Sequence, residues 1–317
     1  MNQALIIKLI GGLYTFKDIT TNEIFEGYAK GKFRKIRVEK DSSFNRNLTK
    51  STKVDAKDMV LSPKVGDMIH YTFESNQYMI DEILERKNEL VRPDVANIDQ
   101  VLLLFSSIRP DFSFTLLDKF LVILGYNQLN PILIISKIDL IDEQGLNDLK
   151  DKLVFYQKYY DIYFVNSKQR IGFDTLERIF KDKITVLAGQ TGVGKSTLLN
   201  ALIPELKLKT QEISMALGRG KHTTRHSELY PFNEGYIADT PGFSKIEFEF
   251  HDYKILKAHF KEFVEAESSC KFGHNCLHLS EPGCEVKRLV EEGHILKSRY
   301  ESYTSFVDEL KQRKEKY

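Results

Sequence analysis

The chain has 317 residues, with 46 Lys and Arg against 45 Asp and Glu and a formal net charge of +1. That length exceeds one typical domain, and an apolar content of 42% supplies several cores. No stretch is long and apolar enough to span a bilayer, and no charged segment with an apolar h-region and cleavage site opens the chain. Membrane and secreted classes are therefore excluded, and a soluble, cytoplasmic protein is expected.

Charge is unevenly spread, because the first sixty residues carry an excess of Lys and Arg. Short β-type runs stand at Leu5 to Ile10, Phe33 to Val38 and Met68 to Phe73. Short strands with glycine turns suggest a small barrel. The polar, aperiodic segment Lys40 to Asp58 reads as a mobile loop, and Glu82 to Val91 as a connector. A core then begins with the strand Val101 to Phe105.

Pro131 to Ile135 is a buried-strand run that ends at Ser136-Lys137-Ile138-Asp139. The position and the K-x-D spacing fit a guanine-selecting N-K-x-D signature with Ser in place of Asn. In that signature Asp accepts two hydrogen bonds from the guanine edge and Lys packs over the base. Asn contacts the base and ties its loop to the phosphate loop. A hydroxyl in its place predicts guanine preference kept through Asp139 with some loss of affinity. A second apolar run ends at Asn166-Ser167-Lys168, where a loop backing the base would stand. No K-x-D occurs after Gly242.

The apolar run Ile184 to Ala188 leads into Gly189-Gln190-Thr191-Gly192-Val193-Gly194-Lys195-Ser196, and Lys195 to Ile203 has helical apolar spacing. Strand, loop and helix are the context that G-x-x-x-x-G-K-[ST] requires. Residue frequencies give the pattern by chance in about one chain in a hundred of this length. Backbone N–H groups at a helix N-terminus would cradle the phosphates, Lys195 would meet the β/γ-phosphates, and Ser196 would hold Mg²⁺. Thr197 completes this set of candidate nucleotide contacts.

Leu217 to His226 is basic, glycine-punctuated and rich in hydroxyls. A switch needs a Thr that reaches Mg²⁺, and Thr223 and Thr224 are the candidates, Thr224 the preferred one. His222 is either a group that aligns water or an exposed loop residue. Arg219 and Lys221 are alternatives for phosphate contacts to RNA. Tyr236 to Ala238 then enters Asp239-Thr240-Pro241-Gly242, where Asp239 would bind Mg²⁺ indirectly and the Gly242 N–H would sense the γ-phosphate. Ras-like enzymes follow that glycine with a water-orienting Gln. Phe243 stands here instead and predicts slow intrinsic turnover.

All three cysteines, Cys270, Cys276 and Cys284, fall in one short window with His274 and His278. Three thiolates and one imidazole make a closed structural zinc site. An odd count disfavours a disulfide framework. Tyr253 to Ala266 and Glu285 to Lys314 read as flanking helices, the latter with a solvated Lys/Glu face.

The base signature thus precedes the phosphate loop, the reverse of the ordinary order, which makes the chain a circularly permuted GTPase. Together with Gly31-Lys32-Phe33-Arg34, Arg92 to Gln100, Gly218 to Thr224 and Asp239 to Phe243, these motifs resemble the ribosome small-subunit-dependent GTPase A family over nearly the whole length. The resemblance implies a multidomain α/β protein. Its parts are an OB-type RNA-binding barrel at 1–80, a permuted P-loop GTPase core with a mostly parallel sheet at 81–245, and a helical zinc domain at 246–317. It implies GTP/GDP, Mg²⁺ and one structural Zn²⁺ as cofactors. The small (30S) ribosomal subunit and its rRNA are the implied partners of a monomer that acts in late 30S maturation and factor release. Lys30, Lys32, Arg34, Lys35 and Arg37 become expected RNA-backbone contacts. The family pattern favours His278 over His274 as the fourth zinc ligand. Departures are Ser136, Asn166-Ser167 and one extra residue between the first two cysteines. A nucleotide-permissive ATPase and an rRNA-binding scaffold with a structural nucleotide are the alternative functions. Because the zinc domain follows the Asp239–Gly242 switch closely, movement of that switch is expected to reach it.

Overall fold

A computed structural model describes residues 2–31, 62–90, 94–206, 226–239, 247–248 and 250–314. Two compact units are formed. One takes in Met1–Asp99, Phe180–Val186 and Gln211–Gly242, and the other Gln100–Ile179, Leu187–Thr210 and Phe243–Tyr317.

In the first unit β1 (Asn2–Ile10), β2 (Leu13–Asp18), β3 (Ile24–Ala29), β4 (Met68–Glu74) and β5 (Gln77–Ile83) form a five-stranded barrel in the order β1-β2-β3-β5-β4, with β4 pairing back to β1. Alternation sends Ala4, Ile6, Tyr14, Phe16, Ile69, Tyr71 and Ile80 inward, where all are buried. Phe16, Phe25, Tyr71 and Tyr78 interlock there at centroid distances of 4.4 to 6.3 Å. The buried rings among them, Phe16 and Tyr71, each contribute about 1.5–3 kcal/mol on burial. The Tyr71 hydroxyl donates to Asp18 Oδ2 at 2.7 Å, so the polar tip of an inward ring is satisfied.

Lys30, one of the expected RNA-backbone contacts, pairs its ammonium with Glu74 at 2.9 Å and with Asp81. Lys30 is an intradomain ion pair, and its charge is engaged before any RNA phosphate arrives. The other expected RNA contacts, Lys32, Arg34, Lys35 and Arg37, lie outside the described residues, as do the Phe33 to Val38 run and the Lys40 to Asp58 segment. Past β5, Arg86 binds the fully buried Asp67 through Nε and Nη2 at 2.7 and 2.8 Å. The stretch read as a connector is therefore fastened to the barrel.

The same unit contains an antiparallel pair, His226–Phe232 with Gly235–Asp239. The first of these strands pairs with β1 and the second, in parallel, with Ile184 to Val186. Asp239 is the last residue of its strand, with backbone register opposite Glu228.

The second unit is built on parallel strands Gln100–Ser106, Pro131–Ser136 and Ile162–Phe164. The first two are buried at every residue, the pattern of strands covered on both faces. The strand Ile184–Gly189 ends in this unit beside Gln100–Ser106. Helices Phe114–Tyr126, Glu143–Gln157 and Lys195–Leu202 follow their strands, each starting just beyond the loop at a strand's C-terminal end. Ser113 and Asp142 cap the first two by accepting from Leu116 N and Gly145 N.

The C-terminal helices are more broken than apolar spacing predicts. Tyr253–His259 is a 3₁₀ segment before the helix Lys261–Glu267. The expected helix Glu285 to Lys314 divides into Glu285–Glu291 and Lys297–Lys314. Gly293 adopts a left-handed φ of 78°, and the N–H of His294 turns back to Leu289 O at 2.8 Å, which closes the first helix.

Inside this unit Arg299 is 1% exposed. Its Nη1 donates to Asp118 Oδ1 and its Nε to Glu262 Oε1, both at 2.7 Å, and its guanidinium lies 4.4 Å from the centroid of Phe260. Tyr156 OH also donates to Asp118 Oδ1 at 2.7 Å. Helices from the core and from the C-terminal region thus meet on one buried ion triad. Arg299→Leu alone strands two carboxylates in an apolar setting and should cost about 3–5 kcal/mol in denaturant unfolding. Replacing Arg299, Asp118 and Glu262 together by Leu should recover most of that loss.

Candidate functional site

The phosphate loop joins the strand Ile184–Gly189 to the helix Lys195–Leu202. Gly189 has φ 135°, and a Cβ there would stand 2.3 Å from Leu104 O, so only glycine permits this approach of loop to strand. Gly194, at φ 99°, occupies the N-cap position without a side-chain cap, leaving the first helical N–H groups to a ligand. Lys195 Nζ donates to Gly189 O and Gln190 O, each at 2.7 Å. Burial lowers its pKa to about 8. Thr191 is exposed, while Ser196 and Thr197 are half-buried on the first helical turn.

The base loop is fastened to this loop. Ser136 is 3% exposed, and its Oγ lies 2.5 Å from Val193 O and 3.2 Å from Phe105 O. Lys137, in the left-handed region at φ 59°, donates from Nζ to Gly192 O at 2.7 Å and to Arg109 O. Asp139 sits on a short 3₁₀ turn, Ile138–Leu140, with its side chain 24% exposed, and Lys168 Nζ is 4.0 Å from its Oδ2. Asn166 is buried and engaged with its own turn. Its Oδ1 accepts from Lys168 N and Gln169 N at 3.0 and 3.2 Å, and its Nδ2 donates to Gln169 Oε1 at 2.8 Å. Asn166 therefore shapes the loop that carries Ser167 and Lys168.

Asp239 stands at a strand end, as the D-x-x-G reading expects. Gly242, Phe243, His222, Thr223, Thr224, Arg219 and Lys221 lie outside the described residues. Sequence reasoning missed Arg109, whose carbonyl receives Lys137 from a separate loop. No local signal marks a backbone acceptor of this kind.

The cysteine window closes on itself. One ligand atom from each of Cys270, Cys276, His278 and Cys284 lies within 4.8 Å of the others, and all four residues are buried. His278 Nδ1 is 3.4 Å from Cys284 Sγ and 3.7 Å from Cys270 Sγ. Ligands at about 2.3 Å (sulfur) and 2.0–2.1 Å (nitrogen) around one tetrahedral zinc would sit about 3.5 Å apart, so the donor set fits that ion. Burial lowers the His278 pKa to about 4, which keeps the imidazole neutral and able to ligate. Burial raises Cys284 to about 12, so a cation is what would draw off its proton. His274 is excluded from the cluster. Its side chain is 83% exposed and its Nδ1 lies 2.6 Å from Glu267 Oε1. Supporting groups that spacing did not reveal are Glu281, which accepts from Leu277 N and Leu279 N, and Tyr300, whose hydroxyl donates to His278 O.

Residues 83–249 match the family model described as RsgA GTPase. The chain belongs to the RsgA GTPase family. It is 49% identical over 311 residues, 98% of each chain, to a protein of Onion yellows phytoplasma (strain OY-M) named small ribosomal subunit biogenesis GTPase RsgA. It is 41% identical over the full length of each chain to the protein of that name in Bacillus subtilis (strain 168). Among solved structures, YloQ, described as a circularly permuted GTPase, matches with a TM-score of 0.78 at 36% identity, over 99% of this chain and 96% of that one. YjeQ from Thermotoga maritima matches with a TM-score of 0.78 at 33% identity, over 98% of both chains. RsgA membership makes the chain a circularly permuted GTPase, with a guanine nucleotide and Mg²⁺ as the ligands that class uses.

A lysine at about 8 is charged below that pH and loses its charge as pH rises through it. A polyphosphate favours the charged form and raises the pKa in the complex. GDP binding should therefore weaken about tenfold per pH unit above 8, with proton uptake on binding. Calorimetry in buffers of different ionisation enthalpy checks both effects, and Lys195→Gln should abolish them.

Proposed function

We propose that this chain binds the small ribosomal subunit in its GTP state, hydrolyses GTP to GDP and phosphate when the subunit stimulates it, and then leaves. The observation that carries the reading is the Ser136–Val193 hydrogen bond. It joins a base loop and a phosphate loop that lie far apart and in inverted order along the chain. The relatives' names supply the particle, the small ribosomal subunit.

The proposed parts are a barrel at 1–80 facing rRNA, a GTPase core at 81–245 and a zinc domain at 246–317. Gly189 to Thr197 hold the phosphates, with Lys195 at the β/γ-phosphates. Ser196 and Thr224 hold Mg²⁺ directly, and Asp239 does so through water. Asp139 takes the guanine edge, Lys137 packs over the base, and Ser167 and Lys168 back it. His222 takes the water-aligning task that Phe243 is unable to perform, and Thr223 stands beside the metal-binding Thr. One Zn²⁺ on Cys270, Cys276, His278 and Cys284 supplies a crosslink with no open coordination position for substrate. The protein acts as a monomer in the cytoplasm, and among the described residues no helix is long and apolar enough to cross a membrane.

Hydrolysis by the purified chain, with and without purified small subunits and with ATP as control, tests the reading. A GTP-selective stimulation of tenfold or more is expected, and equal rates with and without subunits would overturn it. Zinc analysis should return about one ion per chain. Cys276→Ser should lose that ion and lower the melting temperature by several degrees, on the order of a 1–3 kcal/mol loss.

A further inference from the structure

Guanine presents N7 and O6 as acceptors on one edge and its N1–H and 2-amino donors on another. An amide at the first position of the base motif has an N–H to offer the acceptor edge. Ser136 has one hydrogen only. Its Oγ stands against two carbonyls, Phe105 O at 3.2 Å and Val193 O at 2.5 Å, so that hydrogen goes to the nearer, inside the phosphate loop. At 3% exposure the side chain is walled in beneath the loop, and its oxygen would lie 3.7 Å from a Cβ on Gly194. Lys137, the next donor along, has its ammonium on Gly192 O and Arg109 O. The amide that follows the neighbouring parallel strand, Asn166, is committed to Lys168 N, Gln169 N and Gln169 Oε1.

We infer that, among the described residues, Ser136, Lys137 and Asn166 leave guanine N7 without a side-chain donor. Ser136 is a positioning residue that serves the phosphate loop, and Asp139 alone among the motif's side chains selects the base. The inference rests on the nucleotide site described above. Its consequence is a relaxed specificity for purine ring substitution at position 7 beside an unrelaxed demand for the 2-amino group and N1–H.

7-Deaza-GDP, in which a C–H replaces N7, provides the probe. The full-length protein is titrated with GDP, 7-deaza-GDP and IDP in the presence of Mg²⁺. GDP and 7-deaza-GDP should bind within about twofold of each other, because no hydrogen bond is lost, whereas IDP should bind on the order of tenfold more weakly through loss of the 2-amino contact. Ser136→Ala should weaken GDP and 7-deaza-GDP by the same factor, on the order of tenfold, and leave their ratio unchanged. A 7-deaza-GDP affinity fivefold or more below that of GDP overturns the inference while leaving the nucleotide site standing. Equal affinity of Ser136→Ala and the unaltered chain for both nucleotides overturns the positioning role. Failure of all three nucleotides to bind overturns the site reading and the inference with it.

Discussion

A loop that turns its amide groups toward an anion sends its carbonyls back into the protein, and those carbonyls need donors. Here Gly189 and Gln190 are satisfied by Lys195, Gly192 by Lys137 and Val193 by Ser136. Two of these three donors come from the base motif. The requirement of the phosphate loop for buried donors therefore fixes where the base loop sits, and it does so regardless of which motif comes first along the chain. Circular permutation is tolerated because the constraint is spatial. Strand ends that were neighbours remain neighbours when the chain is cut and rejoined elsewhere.

A second constraint acts at the far end of the chain. The zinc-type cluster lies between helices that Arg299 ties together, holding Glu262 on one side and Asp118, a residue of the first core helix, on the other. The described contacts tie the C-terminal region to the helices that flank the strand Pro131–Ser136. A buried guanidinium shared by two carboxylates holds its partners at fixed angles, since loss of one partner leaves a bare charge in the core. The region that carries the Cys₃His cluster is thereby built onto the first core helix, Phe114–Tyr126.

Much of the site was legible because its chemistry is local. Glycines with a following Lys-Ser announce the phosphate loop, and the uninterrupted apolar run Pro131 to Ile135 announces a strand buried on both faces that delivers Ser136 to a loop. Cysteine clustering marked the buried Cys₃His cluster. What stayed hidden depends on partners distant in sequence. Spacing was unable to separate His274 from His278 without the family pattern, whereas burial and a left-handed backbone at His278 separate them at once. The ion pairs of Lys30 were hidden because Glu74 and Asp81 arrive from later strands. The solvated Lys/Glu face expected for the last helix gives no hint of the buried Arg299. The positions Arg299, Tyr303, Phe306, Val307 and Leu310 form an inward stripe at helical spacing, with an arginine where an apolar residue is the usual choice.

The central claim is that Asp139, although it precedes the phosphate loop, is the residue that selects the base bound there. Asp139→Asn tests it most directly, because an amide at that position meets the 2-oxo group of xanthine with a donor and repels the 2-amino group of guanine. Competition binding should show the preference move from GDP to XDP by two orders of magnitude or more. An unchanged preference for GDP in that variant would contradict the account.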